Sequence, residues 1–308
     1  MAVSVMAAFS GGAGSDIALG NVVGSNIFNI LFILGLSAII TPLVVSVQLL
    51  RLDVPVMIGA SILMFLLALD GRFGRLDGIV LFSGVIIYTI FVIYQGRRET
   101  KQNIKEFDLE YGQPAKNKFQ VVLDLFLIFS GLGLLVLGSN LLVKGAIEIA
   151  LFLGMSELII SLTIVAAGTS LPELATSAIA SLRGERDIAV GNIIGSNIFN
   201  ILAVLGLSAT VSPAGINVSP NALAFDIPVM LAVAAICLPI LFTGFLITRT
   251  EGIMLMTWYM IYIVYLILGA SDHGSPGLAH TIVLYLVIPV TVLIIVTTVY
   301  QQFIKRKG

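Results

Sequence analysis

One stretch of this chain occurs twice. Asp16–Pro42 reads DIALGNVVGSNIFNILFILGLSAIITP and Asp187–Pro213 reads DIAVGNIIGSNIFNILAVLGLSATVSP, with 19 of 27 positions identical. The likeness continues more weakly downstream. Asp53-Val-Pro-Val-Met matches Asp226-Ile-Pro-Val-Met, and Leu76-Asp-Gly-Ile matches Thr250-Glu-Gly-Ile. A duplication of this extent dictates two similar halves, and composition says where they fold. Of 308 residues, 58% are hydrophobic and 11% charged, whereas a soluble domain carries about 25% charged residues. Mean hydropathy is +1.08.

Apolar runs long enough to cross a bilayer, about 20 residues each, fall near Ile17–Val44, Val54–Leu69, Gly78–Tyr94, Val121–Ala150, Leu158–Leu182, Ile188–Val211, Ala222–Ile247, Gly252–Leu268 and Thr281–Tyr300. Met1–Ser10 reads as the end of one more. The two copies of the repeat open the first and sixth of these runs. Five crossings separate them, an odd number, so they enter the membrane in opposite directions. Inverted repeats support alternating access, with substrate held near the midplane where the halves meet.

Lys and Arg divide the loops into two sets. Arg51, the group Arg97, Arg98, Lys101, Lys105, Lys116 and Lys118, then Arg183, Arg186 and Arg249, and finally Lys305, Arg306 and Lys307 fall on one side. Arg72 and Arg75 fall on the other. The positive-inside rule makes the richer side cytoplasmic. The net charge of −1 gives no support to nucleic-acid binding. Cys237, the single cysteine, lies in an apolar run and reads as a packed small hydrophobe. His273 and His280 lie in a short loop.

The chemistry-bearing stretch is Ala167-Gly168-Thr169-Ser170-Leu171-Pro172-Glu173, inside an apolar run. Gly and Pro there interrupt a helix and free backbone carbonyls. Glu173 is an ionisable group deep in the membrane, at a cost of about 3 kcal/mol, which makes it a functional candidate. Thr169 and Ser170, four and three residues earlier, are expected on its helix face. In the next run Asn192, Ser196 and Asn200 stand four residues apart and form a polar stripe, matched in the first copy by Asn21, Ser25 and Asn29. Carboxylate, hydroxyl, amide and carbonyl oxygens are hard ligands suited to Na+ and Ca2+. Asn26 and Asn197 point away from the stripes and read as packing residues. Asp53 and Asp226, ahead of Val-Pro and Ile-Pro, read as helix caps. A nucleophilic role for Ser170 would need a neighbouring base, and no His or Lys is placed to supply one, so the chain reads as a non-enzyme.

Gly168-Thr169-Ser170-Leu171-Pro172-Glu173, followed by Gly191-Asn192-Ile193-Ile194-Gly195-Ser196-Asn197-Ile198-Phe199-Asn200, resembles the α-repeat signature of the sodium/calcium exchanger family. The likeness is greatest to the prokaryotic calcium/sodium antiporters. The resemblance implies an all-α polytopic membrane fold of two inverted five-helix repeats, each giving two broken helices to a central site. It implies ion-ligand roles for Thr169, Ser170, Glu173, Ser196 and Asn200, for Ser25 and Asn29 from the first repeat, and for carbonyls around Ala166 and Thr169. Two departures stand out. Asn200 replaces an Asp found in many members, and no Gly-Thr-Ser-x-Pro-Glu segment occurs in the first repeat. Aligning Ala2, Ser4, Ala7 and Gly11 with Ala175, Ser177, Ala180 and Gly184 places the missing Glu just ahead of Met1.

The expected organisation is a first repeat over 1–95, lacking its first span and the start of its second, a cytoplasmic connector over 96–118, a second repeat over 119–270, and an added C-terminal helix with a basic tail over 271–308. The expected function is exchange of Na+ for Ca2+ by alternating access across the plasma (inner) membrane, with the C-terminus cytoplasmic, the lipid bilayer as surroundings and no cofactor. Two other readings stand beside it: a cation/proton antiporter with Glu173 as proton carrier, and a truncated remnant inactive in transport.

Overall fold

The computed structural model describes residues 13–111, 118–152, 157–242 and 245–269. The expected end of a span at Met1–Ser10, both histidines and the expected C-terminal span lie outside the described residues. Among those described, seven helices are long and apolar enough to span a membrane: Ile17–Ile40, Leu49–Asp70, Arg75–Gly96, Phe129–Ile149, Arg186–Val211, Ala222–Leu241 and Arg249–Ile267. Leu158–Thr169 and Leu171–Leu182, bent by 46° at the break between them, make an eighth crossing if the pair is one span. Each matches an apolar run of the sequence. Their outer faces carry exposed Ile86, Ile87, Ile90, Leu134, Leu137 and Leu141. A continuous apolar surface of this kind is stable against lipid and not against water.

The helices are named in chain order. α1 (Ala13–Phe28) runs through a π-helical turn at Asn29–Leu34 into α2 (Gly35–Ile40). A second π turn, Leu49–Asp53, leads into α3 (Val54–Leu67), and α4 (Arg75–Tyr111) and α5 (Lys118–Phe152) follow. α6 (Glu157–Ile160), a π turn at Ser161–Val165, α7 (Ala166–Thr169) and α8 (Leu171–Leu182) make the bent crossing. The second half then repeats the first: α9 (Arg186–Phe199), a π turn at Asn200–Leu205, α10 (Gly206–Val211), a π turn at Ala222–Asp226, α11 (Ile227–Phe242) and α12 (Arg249–Gly269). The π turns at Asn29 and Asn200 occupy equivalent places, and such turns gather at functional sites because the extra residue redirects side chains.

The internal twofold relation is visible in individual contacts. Four two-residue strands, β1 (Leu43–Val44), β2 (Arg72–Phe73), β3 (Ile216–Asn217) and β4 (Leu246–Ile247), form two antiparallel pairs. Leu43 faces Ile247, and Phe73 faces Ile216. Under the repeat alignment Leu43 corresponds to Ile216 and Phe73 to Ile247, so one pair maps onto the other with the halves exchanged. Each strand therefore ties one repeat to the other. Glycines obey the same exchange. A Cβ on Gly35 would lie 2.9 Å from the Gly252 carbonyl oxygen, and one on Gly206 would lie 3.2 Å from that of Gly78. The two halves share one buried core, from Ala18 through Leu266.

One expectation is corrected here. Asp53 and Asp226 do not cap helices: each ends a π turn with helical backbone and accepts a tyrosine hydroxyl instead. Tyr88 Oη donates to Asp53 Oδ1 at 2.8 Å, and Tyr262 Oη to Asp226 Oδ1 at 3.3 Å. A carboxylate facing apolar surroundings needs a donor, and the equivalent tyrosine of the neighbouring helix provides it in both repeats. The polar segment after Gly96 begins as helix, since α4 continues to Tyr111. Its Glu, Lys and Gln residues favour helix over coil.

Candidate ion site

The bent crossing builds the site. Pro172 has no N–H to return to the carbonyl of Gly168, and the helix breaks at Ser170, whose backbone sits at φ −94°, ψ 7°. The break separates residues expected on one helix face. Thr169 ends α7, Ser170 is the buried corner, and Glu173 lies in the first turn of α8. A helix N-terminus favours a carboxylate at that position. α8 closes with a Schellman motif: Glu185 N–H donates to Ala180 O at 2.9 Å and Gly184 N–H to Ser181 O at 3.2 Å. Gly184 takes φ 78°, which a residue with a Cβ adopts only with strain. This tight turn sends α9 back along α8 and sets its polar stripe against Glu173.

Two polar groups result. In the first, Thr169 Oγ1 donates to Asn21 Oδ1 at 2.8 Å and lies 3.3 Å from Ser25 Oγ, and Ser25 Oγ lies 3.3 Å from the Ala166 carbonyl. Close packing allows this. A Cβ on Gly24 would lie 2.7 Å from Ala166 Cβ and would overlap the Leu162 carbonyl, so only glycine lets α1 approach so near. In the second group, Glu173, Gly191, Asn192, Gly195, Ser196, Phe199 and Asn200 line a cavity of about 250 Å³. Asn192 Nδ2 donates to Ser177 Oγ at 3.0 Å and to the Glu173 carbonyl at 3.3 Å. Glu173 Oε2 is buried with no hydrogen-bond partner among the described residues. Gly195, the counterpart of Gly24, has open space where its Cβ would be, so it widens the cavity and breaks no helix.

Between the groups lie four asparagines. Asn29 Nδ2 donates to Asn197 Oδ1 at 2.9 Å, and Asn200 Nδ2 to Asn26 Oδ1 at 3.2 Å. These bonds are equivalent under the repeat and cross between the halves. Of the residues picked from sequence, Glu173, Ser196 and Asn200 share the cavity, Ser25 meets Thr169, Ser170 is buried at the bend, and Asn29 reaches the second repeat through Asn197. Asn26 and Asn197, read as packing, instead belong to the polar network. The signal for them was present, because both copies keep Asn-Ile-Phe-Asn at these positions. Among the described residues no group of three His, Cys, Asp or Glu side chains is gathered for a metal. The oxygen donors of this region are one carboxylate, hydroxyls, amides and carbonyls.

Two equivalent halves that meet at polar-lined helices inside an apolar shell define a membrane transporter. The sequence profile of the sodium/calcium exchanger protein matches residues 1–94 and 123–268, and the chain belongs to that family. CaxA of Alkalimonas amylolytica is 40% identical over 265 residues, covering 84% of this chain and 81% of the relative. The sodium/calcium exchanger MaX1 of Methanosarcina acetivorans is 32% identical over 283 residues, covering 82% and 80%. A structure of the sodium-calcium exchanger NCX_Mj soaked with Na+ and Sr2+ superimposes with a TM-score of 0.67 at 30% identity, over 85% of this chain and 80% of that one. The chain is an integral membrane protein with the exchanger fold, and its relatives are transporters.

Proposed function

We propose that this chain exchanges Na+ for Ca2+ across the plasma (inner) membrane by alternating access, with its C-terminus cytoplasmic. Thr169, Ser170, Glu173, Ser196 and Asn200, with Ser25 and Asn29, are the ion ligands. The observation that carries this reading is the carboxylate oxygen of Glu173, buried with no hydrogen-bond partner among the described residues beside a cavity to which Asn192, Ser196 and Asn200 bring amide and hydroxyl groups. A buried anionic acceptor left unpaired costs several kcal/mol unless a cation or proton joins it. Oxygen donors select Na+ and Ca2+ over metals that prefer nitrogen or sulfur. Both ions would compete for the same oxygens, so loading one releases the other, and movement follows when each ion binds the two facing states differently.

The single carboxylate also supports a second reading, in which Glu173 carries protons against a cation. One experiment separates the two. In proteoliposomes, Ca2+ uptake driven by an outward Na+ gradient at uniform pH supports the first. Uptake driven only by a pH gradient supports the second. A titration of detergent-purified protein completes the test: Na+ should weaken Ca2+ binding competitively, and Glu173→Gln should abolish that binding. Ca2+ binding indifferent to both Na+ and Glu173→Gln would overturn the assignment of the site.

A further inference from the structure

The cross-repeat asparagine bonds assign a role to residues outside the ligand set. We propose that Asn197 and Asn26 are positioning residues, each holding the amide of a ligand asparagine from the opposite repeat with its carbonyl oxygen turned toward the ion. The methionine sulfurs of Met57 and Met230 fix the sense of each relay. This rests on the reading of Asn29 and Asn200 as ligands.

Each chain of bonds is fixed at its far end. A thioether sulfur accepts hydrogen bonds and cannot donate. Asn197 Nδ2 lies 3.6 Å from Met57 Sδ and 3.4 Å from the Asn26 carbonyl, both acceptors. Asn26 Nδ2 lies 3.5 Å from Met230 Sδ. The NH2 ends of both asparagines are thereby committed, which leaves each Oδ1 as an acceptor facing the other way. Asn197 Oδ1 takes the amide hydrogen of Asn29, and Asn26 Oδ1 takes that of Asn200. The ligand asparagines must then present oxygen on the side opposite their donated NH2. Asn29 Oδ1 is buried and has no donor among the described residues, which is what a ligand oxygen awaiting a cation looks like. Asn200 lines the cavity beside Glu173.

An amide has one oxygen and one NH2, and an amide turned the wrong way offers donors to a cation. A carboxylate ligand has no wrong face. The relay thus answers a need created by amides in both repeats. Met57 corresponds to Met230, Asn26 to Asn197 and Asn29 to Asn200, so both relays descend from the duplication and cross between its halves. Each half therefore orients a ligand of the other.

The test is a set of double-mutant cycles on the full chain in proteoliposomes, reading KM and kcat for radiolabelled Ca2+. Asn197→Ala and Asn26→Ala should each raise KM about 10-fold or more, the usual scale for losing a group that orients a metal ligand, with kcat changed much less. Asn197→Ala should add nothing in the Asn29→Ala background and should add fully in the Asn200→Ala background. Asn26→Ala should show the reverse couplings. Met57→Leu, which keeps the volume and removes the acceptor, should raise KM less than Asn197→Ala, and this variant keeps the question open to test if the alanine variants do not insert. A KM unmoved by Met57→Leu overturns the thioether's role. Full additivity of Asn197→Ala with Asn29→Ala overturns the orienting role. If Asn29→Ala and Asn200→Ala themselves leave KM unchanged, the ligand assignment has failed and this proposal falls with it.

Discussion

Gly24→Ala should damage this protein although it adds a single methyl to a helix. The new Cβ would lie 2.7 Å from Ala166 Cβ and overlap the Leu162 carbonyl, whereas carbon atoms pack best at about 3.5–4.0 Å. The obstacle is backbone in the π turn Ser161–Val165, which no rotamer change can move. Overpacking of this kind costs about 1–3 kcal/mol, and more where backbone must shift. Helix propensity returns about 1 kcal/mol on replacing Gly with Ala. A net loss of up to about 2 kcal/mol corresponds to a fall of up to about 3 °C in Tm for a chain of this size. Separating α1 from the bent crossing also pulls Ser25 from Thr169, now 3.3 Å apart, so KM for Ca2+ should rise as well. Gly59→Ala is the control, because a Cβ there meets nothing within 4 Å; it should leave Tm unchanged or raise it slightly. The assays are thermal unfolding in detergent and Ca2+ uptake in liposomes. If Gly24→Ala matched Gly59→Ala in both, the close approach of α1 to the bent crossing would be refuted.

Other substitutions probe the same architecture. Ser37 and Ser208 are equivalent, and each buries a hydroxyl that has no partner among the described residues. Ser37→Ala and Ser208→Ala should therefore be neutral or stabilising by up to about 1 kcal/mol, and a fall in Tm in thermal unfolding would show that the hydroxyls are satisfied. Tyr262→Phe removes a donor from Asp226, which is 3% exposed, whereas Tyr88→Phe does so at the less buried Asp53. The first should cost about 1–3 kcal/mol and lower Tm more than the second; equal shifts would contradict the burial difference. Asn200→Asp adds a second carboxylate to the cavity and should tighten Ca2+ binding, read by titration; weaker binding would argue that Asn200 does not face the ion.

Much of this was legible in the sequence because the duplication and the bilayer constrain it so strongly. Every apolar run within the described residues became a crossing, and the Gly168–Pro172 interruption became a bend. Glu173 was conspicuous because a charge inside an apolar run needs a reason. Other features were hidden by the limits of helical periodicity. A straight helix places Thr169, Ser170 and Glu173 on one face, but the break at Ser170 sends Thr169 to α1 and Glu173 to α9. Asn26 and Asn197 lie off the stripe on an ideal helix. They reach the network because the opposite repeat approaches from that side, which one chain's spacing cannot reveal. Asp53 and Asp226 looked like caps since each precedes a residue followed by proline. Their tyrosine partners, 35 and 36 residues away, are found only by the fold.

The most direct test of the account is uptake of radiolabelled Ca2+ into proteoliposomes holding the full chain, with an outward Na+ gradient and Glu173→Gln measured in parallel. Na+-driven accumulation should occur, should disappear when the gradient is collapsed and should be absent in the variant. Accumulation that survives Glu173→Gln unchanged would contradict it.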